Sequence, residues 1–172
     1  FLSYQLAIDF NYTTVIDFDE NDFVVPGPGA RSGIKKCFPG LGEASAEDVI
    51  RWMVDTQADQ FEQNGIAFPD LFGRALTLID CQNLFCETDK YARVMHPDVR
   101  GVGNRSRIKQ QFLPQGNPKL PFFPPKWGIN ERVSMSSVAR ASQKLDSSGL
   151  KIMVPDSLDQ LTKNMVPHPV LR

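Results

Sequence analysis

Between Gly73 and Arg93 the chain concentrates groups able to do chemistry: Asp80, Gln82, Asn83, Glu87, Lys90 and Tyr91, in a run that no Pro or Gly interrupts after Gly73. Wound as a helix at about 100° per residue, Asp80, Asn83, Glu87 and Tyr91 fall on one stripe at steps of 3, 4 and 4, with Lys90 at its edge. The apolar residues Leu78, Ile79, Leu84, Phe85 and Ala92 spread around most of the circumference, which is the pattern of a buried helix. Two carboxylates on a buried helix cost free energy unless they are paired or hydrogen-bonded. They form either the wall of an active site or a structural network in which Asp80 and Glu87 salt-bridge Arg74, Lys90 or Arg93. The wall is the reading we favour.

Ahead of that helix lies Val24-Val25-Pro26-Gly27-Pro28-Gly29-Ala30-Arg31-Ser32-Gly33-Ile34-Lys35-Lys36. The order apolar-Pro-Gly-x-Gly, with a small residue four positions after the second Gly, resembles the hairpin of a helix-hairpin-helix DNA-binding motif. Gly27 and Gly29 would turn tightly with positive φ. The helix that follows would offer free backbone N–H groups and its dipole to a phosphate. Gly33 would let two helices approach, and Arg31, Lys35 and Lys36 would add cations. The plainer alternative is a Pro-Gly turn leading into a helix. The Pro-Gly-x-Gly spacing recurs 13 residues later at Pro39-Gly40-Leu41-Gly42, but Glu43, Glu47 and Asp48 replace the cations there, so phosphate would be repelled. We read this second copy as a turn capped by Ser45. From Arg93 to Lys109, Arg93, Arg100, Arg105, Arg107 and Lys109 face a single acid, Asp98, in a segment that Gly101, Gly103 and Asn104 make a loop. That loop is either a contact for a phosphate backbone or a solvated basic surface.

The elements that must position these groups are helical. Residues 1–12 predict a helix with Leu2, Leu6 and Phe10 on one face and Ile8 nearby, followed by a short acidic stretch from Val15 to Phe23 that reads as a loop or a turn into another helix. A helix over 46–63 has Val49, Ile50, Trp52, Met53 and Phe61 as core candidates, and Asn64-Gly65 stops it. The central helix follows a short connector. Pro114, Pro118, Pro121, Pro124 and Pro125, with Phe122, Phe123 and Trp127, make extended chain strapped over the core by its aromatics. The Ser-rich stretch from Arg132 to Gly149 leads to one short helix, Ser157–Met165. No strand pattern is present. The fold class expected is all-α, with a helical domain over 1–128 and a long irregular Pro/Ser-rich tail over 129–172.

Composition narrows the function classes. With 172 residues and 41% hydrophobic content the chain can form one domain with a real core. A formal net charge of −1 gives no global case for nucleic acid, so any basic surface must be local. The three cysteines are Cys37, Cys81 and Cys86, and the last two point roughly 140° apart on the predicted helix, against a disulfide between them. Reduced thiols suggest an intracellular setting, nuclear or cytoplasmic. His96 and His168 lie far apart and no C-x-x-C exists, so no zinc or other metal site is expected. No apolar run reaches the length of a membrane span, and no signal peptide is visible. No Walker A sequence is present, and Gly101-Val102-Gly103 lacks the third glycine of a dinucleotide fingerprint. Neither a cofactor nor P-loop cradling of a triphosphate is therefore expected. Phe1 to Phe10 reads as a helix under way with no cap before it, the look of the C-terminal part of a longer or processed chain.

Two blocks combine into a family resemblance: Asp22-Phe23-Val24-Val25-Pro26-Gly27-Pro28-Gly29-Ala30, and Leu78-Ile79-Asp80-Cys81-Gln82-Asn83-Leu84-Phe85-Cys86-Glu87-Thr88-Asp89-Lys90-Tyr91-Ala92-Arg93. They resemble the helical family of 5-hydroxymethyl-deoxyuridine DNA kinase helical domains and α-glutamyl/putrescinyl-thymine pyrophosphorylases, itself similar to helix-hairpin-helix DNA glycosylases. The resemblance implies a glycosylase-like helical domain that acts on a modified thymine in hypermodified DNA, by base modification or excision after base flipping. In members of the pyrophosphorylase type an amine displaces a pyrophosphate. The implied catalytic carboxylates are Asp80, Glu87 and, before the hairpin, Asp22. Gln82 and Asn83 would read a pyrimidine's imide edge by paired donor and acceptor, with Lys90 neutralising a departing phosphate and Tyr91 beside them. Gly27, Gly29, Arg31, Lys35, Lys36, Arg105 and Arg107 would hold the DNA. The expected partner is DNA. A protein partner would supply missing N-terminal helices or be held by the proline-aromatic tail. The competing reading is a non-catalytic DNA-binding or structural subunit that needs the hairpin and basic loop but not the carboxylates.

Overall fold

The computed structural model describes residues 1–68, 73–103, 105–108 and 120–134. Among them the chain is all-helical. Four α-helices, α1 (Leu2–Asn11), α2 (Pro28–Cys37), α3 (Ala46–Gln63) and α4 (Leu78–Met95), are followed by two 3-10 turns at Pro125–Trp127 and Asn130–Arg132. The predicted helix Ser157–Met165 and most of the Ser-rich stretch lie outside the described residues.

Local capping chemistry sets most helix ends. The Ser45 hydroxyl accepts from the Asp48 backbone N–H at 3.1 Å while the Asp48 carboxylate accepts from the Ser45 N–H at 2.8 Å, so a reciprocal box starts α3. Glu47 and Asp48 in the first turn suit the positive end of the helix dipole, and Arg51 pairs with Glu47 one turn back. At the other end Asn64 is the C-cap, and Gly65 takes a left-handed φ of 62° that other L residues resist. Pro28 opens α2 at the first position, where its missing N–H is no loss.

Two expectations change here. The central helix begins at Leu78 rather than Gly73, because Thr77 and Asp80 form a second capping box. It also extends past the expected loop start to Met95, so Arg93 sits in its last turn. The helix over 1–12 forms, but it is rotated: Tyr4, Ile8 and Asn11 are buried, while Leu2, Leu6 and Phe10 are exposed. Tertiary contacts outweigh the apolar stripe. Tyr4 packs edge-on against Phe23 at 5.6 Å, and the Asn11 carboxamide pairs with both backbone groups of Phe18 at 3.1 Å.

The core joins Tyr4 and Ile8 of α1, Val24, Ala30 and Ile34 of the α2 region, Val49 and Ile50 of α3, and Leu78, Ile79, Cys81 and Phe85 of α4. Each fully buried side chain such as Ile34, Ile50 or Leu78 contributes roughly 1.5–3 kcal/mol. The principal packing is α2 against α4, and small residues make it possible. A Cβ at Gly33 would overlap the Phe85 carbonyl oxygen, and one at Gly29 would lie 2.9 Å from the Cys86 sulfur. Gly33 therefore has the close-approach role expected of it. The expected positive φ at Gly27 and Gly29 is not found: Gly27 is extended (φ −73°, ψ 168°) as the N-cap, and Gly29 lies inside α2. Pro26 to Gly29 leads from extended chain into one helix. Gly33→Ala is expected to cost about 2–3 kcal/mol, toward the upper end of the usual range for overpacking, because the obstructing atom is backbone. A urea melt within about 0.5 kcal/mol of the parent would show that α2 and α4 can separate freely.

The proline-aromatic strap is anchored as expected at its end. Trp127 packs edge-on to Tyr12 at 5.5 Å, and its Nε1–H donates to Glu20 at 2.6 Å. Burial continues past residue 128, through Ile129 and Val133.

Candidate functional site

The inner face of α4 is not wholly apolar. Leu78, Gln82, Phe85, Asp89 and Ala92 are all buried at steps of 4, 3, 4 and 3, so two of the five positions facing α2 are polar. Each is satisfied from α2 or its N-cap. The Gln82 Oε1 accepts the Gly27 backbone N–H at 3.2 Å, and the Gln82 Nε2 donates to Asn83 at 2.7 Å. The backbone N–H of Gly27, a residue expected to help hold DNA, is therefore already used. The Asp89 carboxylate is 1% exposed and accepts from the Ser32 hydroxyl at 2.7 Å, from Lys36 at 3.0 Å and from Arg93. Burial alone would raise its pKa. The hydrogen bonds from Ser32, Arg93 and Lys36 outweigh that and hold it below the ordinary carboxylate value. Lys36, expected on the DNA-facing side, is thus a buried partner of Asp89 with a side chain only 7% exposed.

The outer face of α4 carries the predicted stripe, exposed rather than buried at Asn83, Glu87 and Tyr91. Both ion pairs of the structural reading are present: Arg74 to Asp80 at 2.8 Å, and Lys90 to Glu87. Asp80 also accepts from the Thr77 N–H at 2.9 Å, so its carboxylate caps the helix. Arg74 reaches on to Glu20, and its guanidinium lies 3.7 Å from the centre of the Trp127 ring. Asp22 is exposed, and its backbone carbonyl accepts from Arg51 at 3.3 Å. Arg31 donates to the Pro26 carbonyl and Lys35 to the Pro39 carbonyl. Tyr91 packs against His96 at 5.9 Å.

A cleft of about 920 Å³ opens between α4, the start of α1 and residues 105–108. It gathers Gly29, Asn83, Glu87, Lys90, Arg105 and Arg107 from among the predicted residues, and adds Gln5, Cys86 and Arg93. Asp80, Asp22, Gln82, Arg31, Lys35, Lys36, Gly27 and Tyr91 do not line it. Burial pushes the Cys86 thiol up, so it stays protonated at neutral pH and is a poor nucleophile. The cleft therefore offers four cations, one carboxylate and two carboxamides: groups able to bind and orient an anionic, hydrogen-bonding ligand. No group of three or more His, Cys, Asp or Glu is arranged to hold a metal among the described residues, and no helix there is long and apolar enough to cross a membrane.

Sequence reasoning missed Asp89, Ser32 and Glu20. One signal was available for Asp89: Asp89-Arg93 and Ser32-Lys36 are both four apart, so each pair shares a helix face.

No curated protein and no solved structure matches the chain. The family model described as 5-hmdU DNA kinase, helical domain, matches residues 1–101, which span α1 to α4 and more than half of the 172 residues. The chain belongs to the family of 5-hmdU DNA kinase helical domains.

Proposed function

We propose that this domain engages DNA and holds a modified thymine nucleotide in the cleft beside α4, so that chemistry can be done on the base. The observation that carries the reading is the meeting of Asn83, Glu87 and Lys90 on α4 with Arg105 and Arg107 in one cleft of about 920 Å³. A volume of this order takes a nucleotide, and a base in duplex DNA must leave the stack to enter it. The Asn83 carboxamide supplies the donor and acceptor that a pyrimidine edge requires. Arg105 and Arg107 supply the cations that a phosphate backbone requires. With Asp80 capping a helix and Glu87 paired to Lys90, binding and presentation of the base is favoured over chemistry by these carboxylates.

The test is a salt-dependent titration with plain duplex DNA and with duplex DNA containing 5-hydroxymethyluracil. The wild-type chain is expected to bind the modified duplex more tightly. Asn83→Ala should abolish that preference, and removing Arg105 and Arg107 should each reduce the salt slope by about one. Equal affinity for both duplexes sinks base recognition, and no binding to either sinks the DNA reading.

A further inference from the structure

We propose that the cleft between α4 and residues 105–108 contains a phosphate-binding site, in which the buried Arg93 Nε–H acts with Lys90, Arg105 and Arg107. Charge balance is the first argument. Asp89 contributes one negative charge to its cluster, while Lys36 and Arg93, 7% and 10% exposed, contribute two positive ones. The cluster therefore carries one surplus positive charge away from water, a costly state that a bound anion relieves.

The second argument is an unpartnered donor. Arg93 donates one Nη to Asp89 and the other to the Arg107 carbonyl at 3.1 Å, but its Nε–H is buried without an acceptor. Arg93 lines the cleft, and guanidinium N–H groups match the tetrahedral oxygens of phosphate. The third is the surrounding charge. Glu87, the one carboxylate on the cleft wall, is already paired with Lys90. Arg105 and Arg107 have no acidic partner among the described residues. The hydrogen bond from Arg93 to the Arg107 backbone also ties the basic segment to α4, so Arg93 sets one wall of the site it occupies.

The site rests on the reading of this cleft as the place that receives a nucleotide, and it names the part held: one phosphate group, from either the diester backbone of DNA or a phosphate monoester. Nitrogen-15 NMR of the arginine side chains in the full chain distinguishes these. The Arg93 Nε–H signal is assigned by its loss in Arg93→Lys, or by its proximity to Asp89 if that variant does not fold. Inorganic phosphate, the dinucleotide d(TpT) and phosphate-free thymidine are titrated at constant ionic strength.

A saturable shift of Arg93 Nε–H with inorganic phosphate supports the site and assigns it to a monoester. A shift with d(TpT) alone supports it and assigns it to the backbone. Arg105→Ala, at an exposed position, is expected to weaken either interaction about two- to fivefold. No shift with any probe, or an equal shift with thymidine, overturns the proposal. Preference for the modified duplex without a shift of Arg93 Nε–H sinks the phosphate site and spares the base reading; a shift without that preference does the reverse.

Discussion

Asp89→Asn is expected to cost about 3–5 kcal/mol of stability at neutral pH, the largest effect of any single conservative change in the domain. The substitution keeps the shape and an acceptor for the Ser32 hydroxyl, but it leaves Lys36 and Arg93 buried without their counter-charge. With total stabilities of small domains near 5–15 kcal/mol, that loss takes a large share. The pH dependence follows from the depressed folded pKa of Asp89. A carboxylate whose pKa is lower in the folded than in the unfolded chain contributes stability that is fully present above its unfolded value, about 4. The contribution is lost as pH falls through the folded value. The gap between the parent and Asp89→Asn should therefore hold from pH 7 down to about pH 4 and shrink below it. Urea melts from pH 7 to pH 3 measure this. A gap below about 1 kcal/mol at pH 7, or one that widens on acidification, would contradict the role given to Asp89.

The second large effect is expected at Arg74. Its guanidinium joins Glu20, Asp80 and Thr77, and covers the Trp127 ring. Arg74→Met keeps much of the side-chain volume but leaves Glu20, 6% exposed, without its cation. We expect a loss of about 2–4 kcal/mol, below the full cost of breaking a buried pair because Asp80 keeps partial contact with water. The strap should loosen with it. In a Trp52→Phe background the only remaining tryptophan is Trp127, and its fluorescence should shift to the red as water reaches the ring. An unchanged spectrum and melt would mean that Arg74 does not hold the strap. Asp80→Asn separates the two original readings of that residue. As a helix cap and ion-pair partner it should cost about 0.5–2 kcal/mol and leave DNA affinity unchanged. A selective loss of DNA affinity or turnover with an unchanged melt would restore Asp80 to an active-site wall.

Elements set by near neighbours were legible in the sequence. The bounds of α3 follow from Ser45, Asn64 and Gly65, all read within a few residues of the helix ends, and the structure adds Asp48 to the N-terminal cap. The start of α4 was just as local, in Thr77 and Asp80, but reading Asp80 as chemistry concealed its role as a cap. The pairs Arg74-Asp80 and Glu87-Lys90 were visible as alternatives because they lie six and three residues apart.

The long-range decisions were not legible. Ser32 and Asp89 are 57 residues apart, and Lys36 and Asp89 53. Nothing local distinguishes Lys36, whose side chain is 7% exposed, from Lys35, which is exposed. Hydrophobic periodicity passes over the stripe from Leu78 to Ala92 because Gln82 and Asp89 are polar, yet burial against α2 makes both part of the interior. The same limit explains the rotation of α1, where Phe23 and Phe18 choose Tyr4 and Asn11 over the more apolar face of Leu2, Leu6 and Phe10. The sequence by itself determined the all-helical fold of the described residues, where α3 begins and ends, and which residues of α4 and of the segment after it carry charge or a carboxamide. Only the tertiary structure decided which of those residues meet in one cleft, because a helix face acquires its inside and outside from what packs against it.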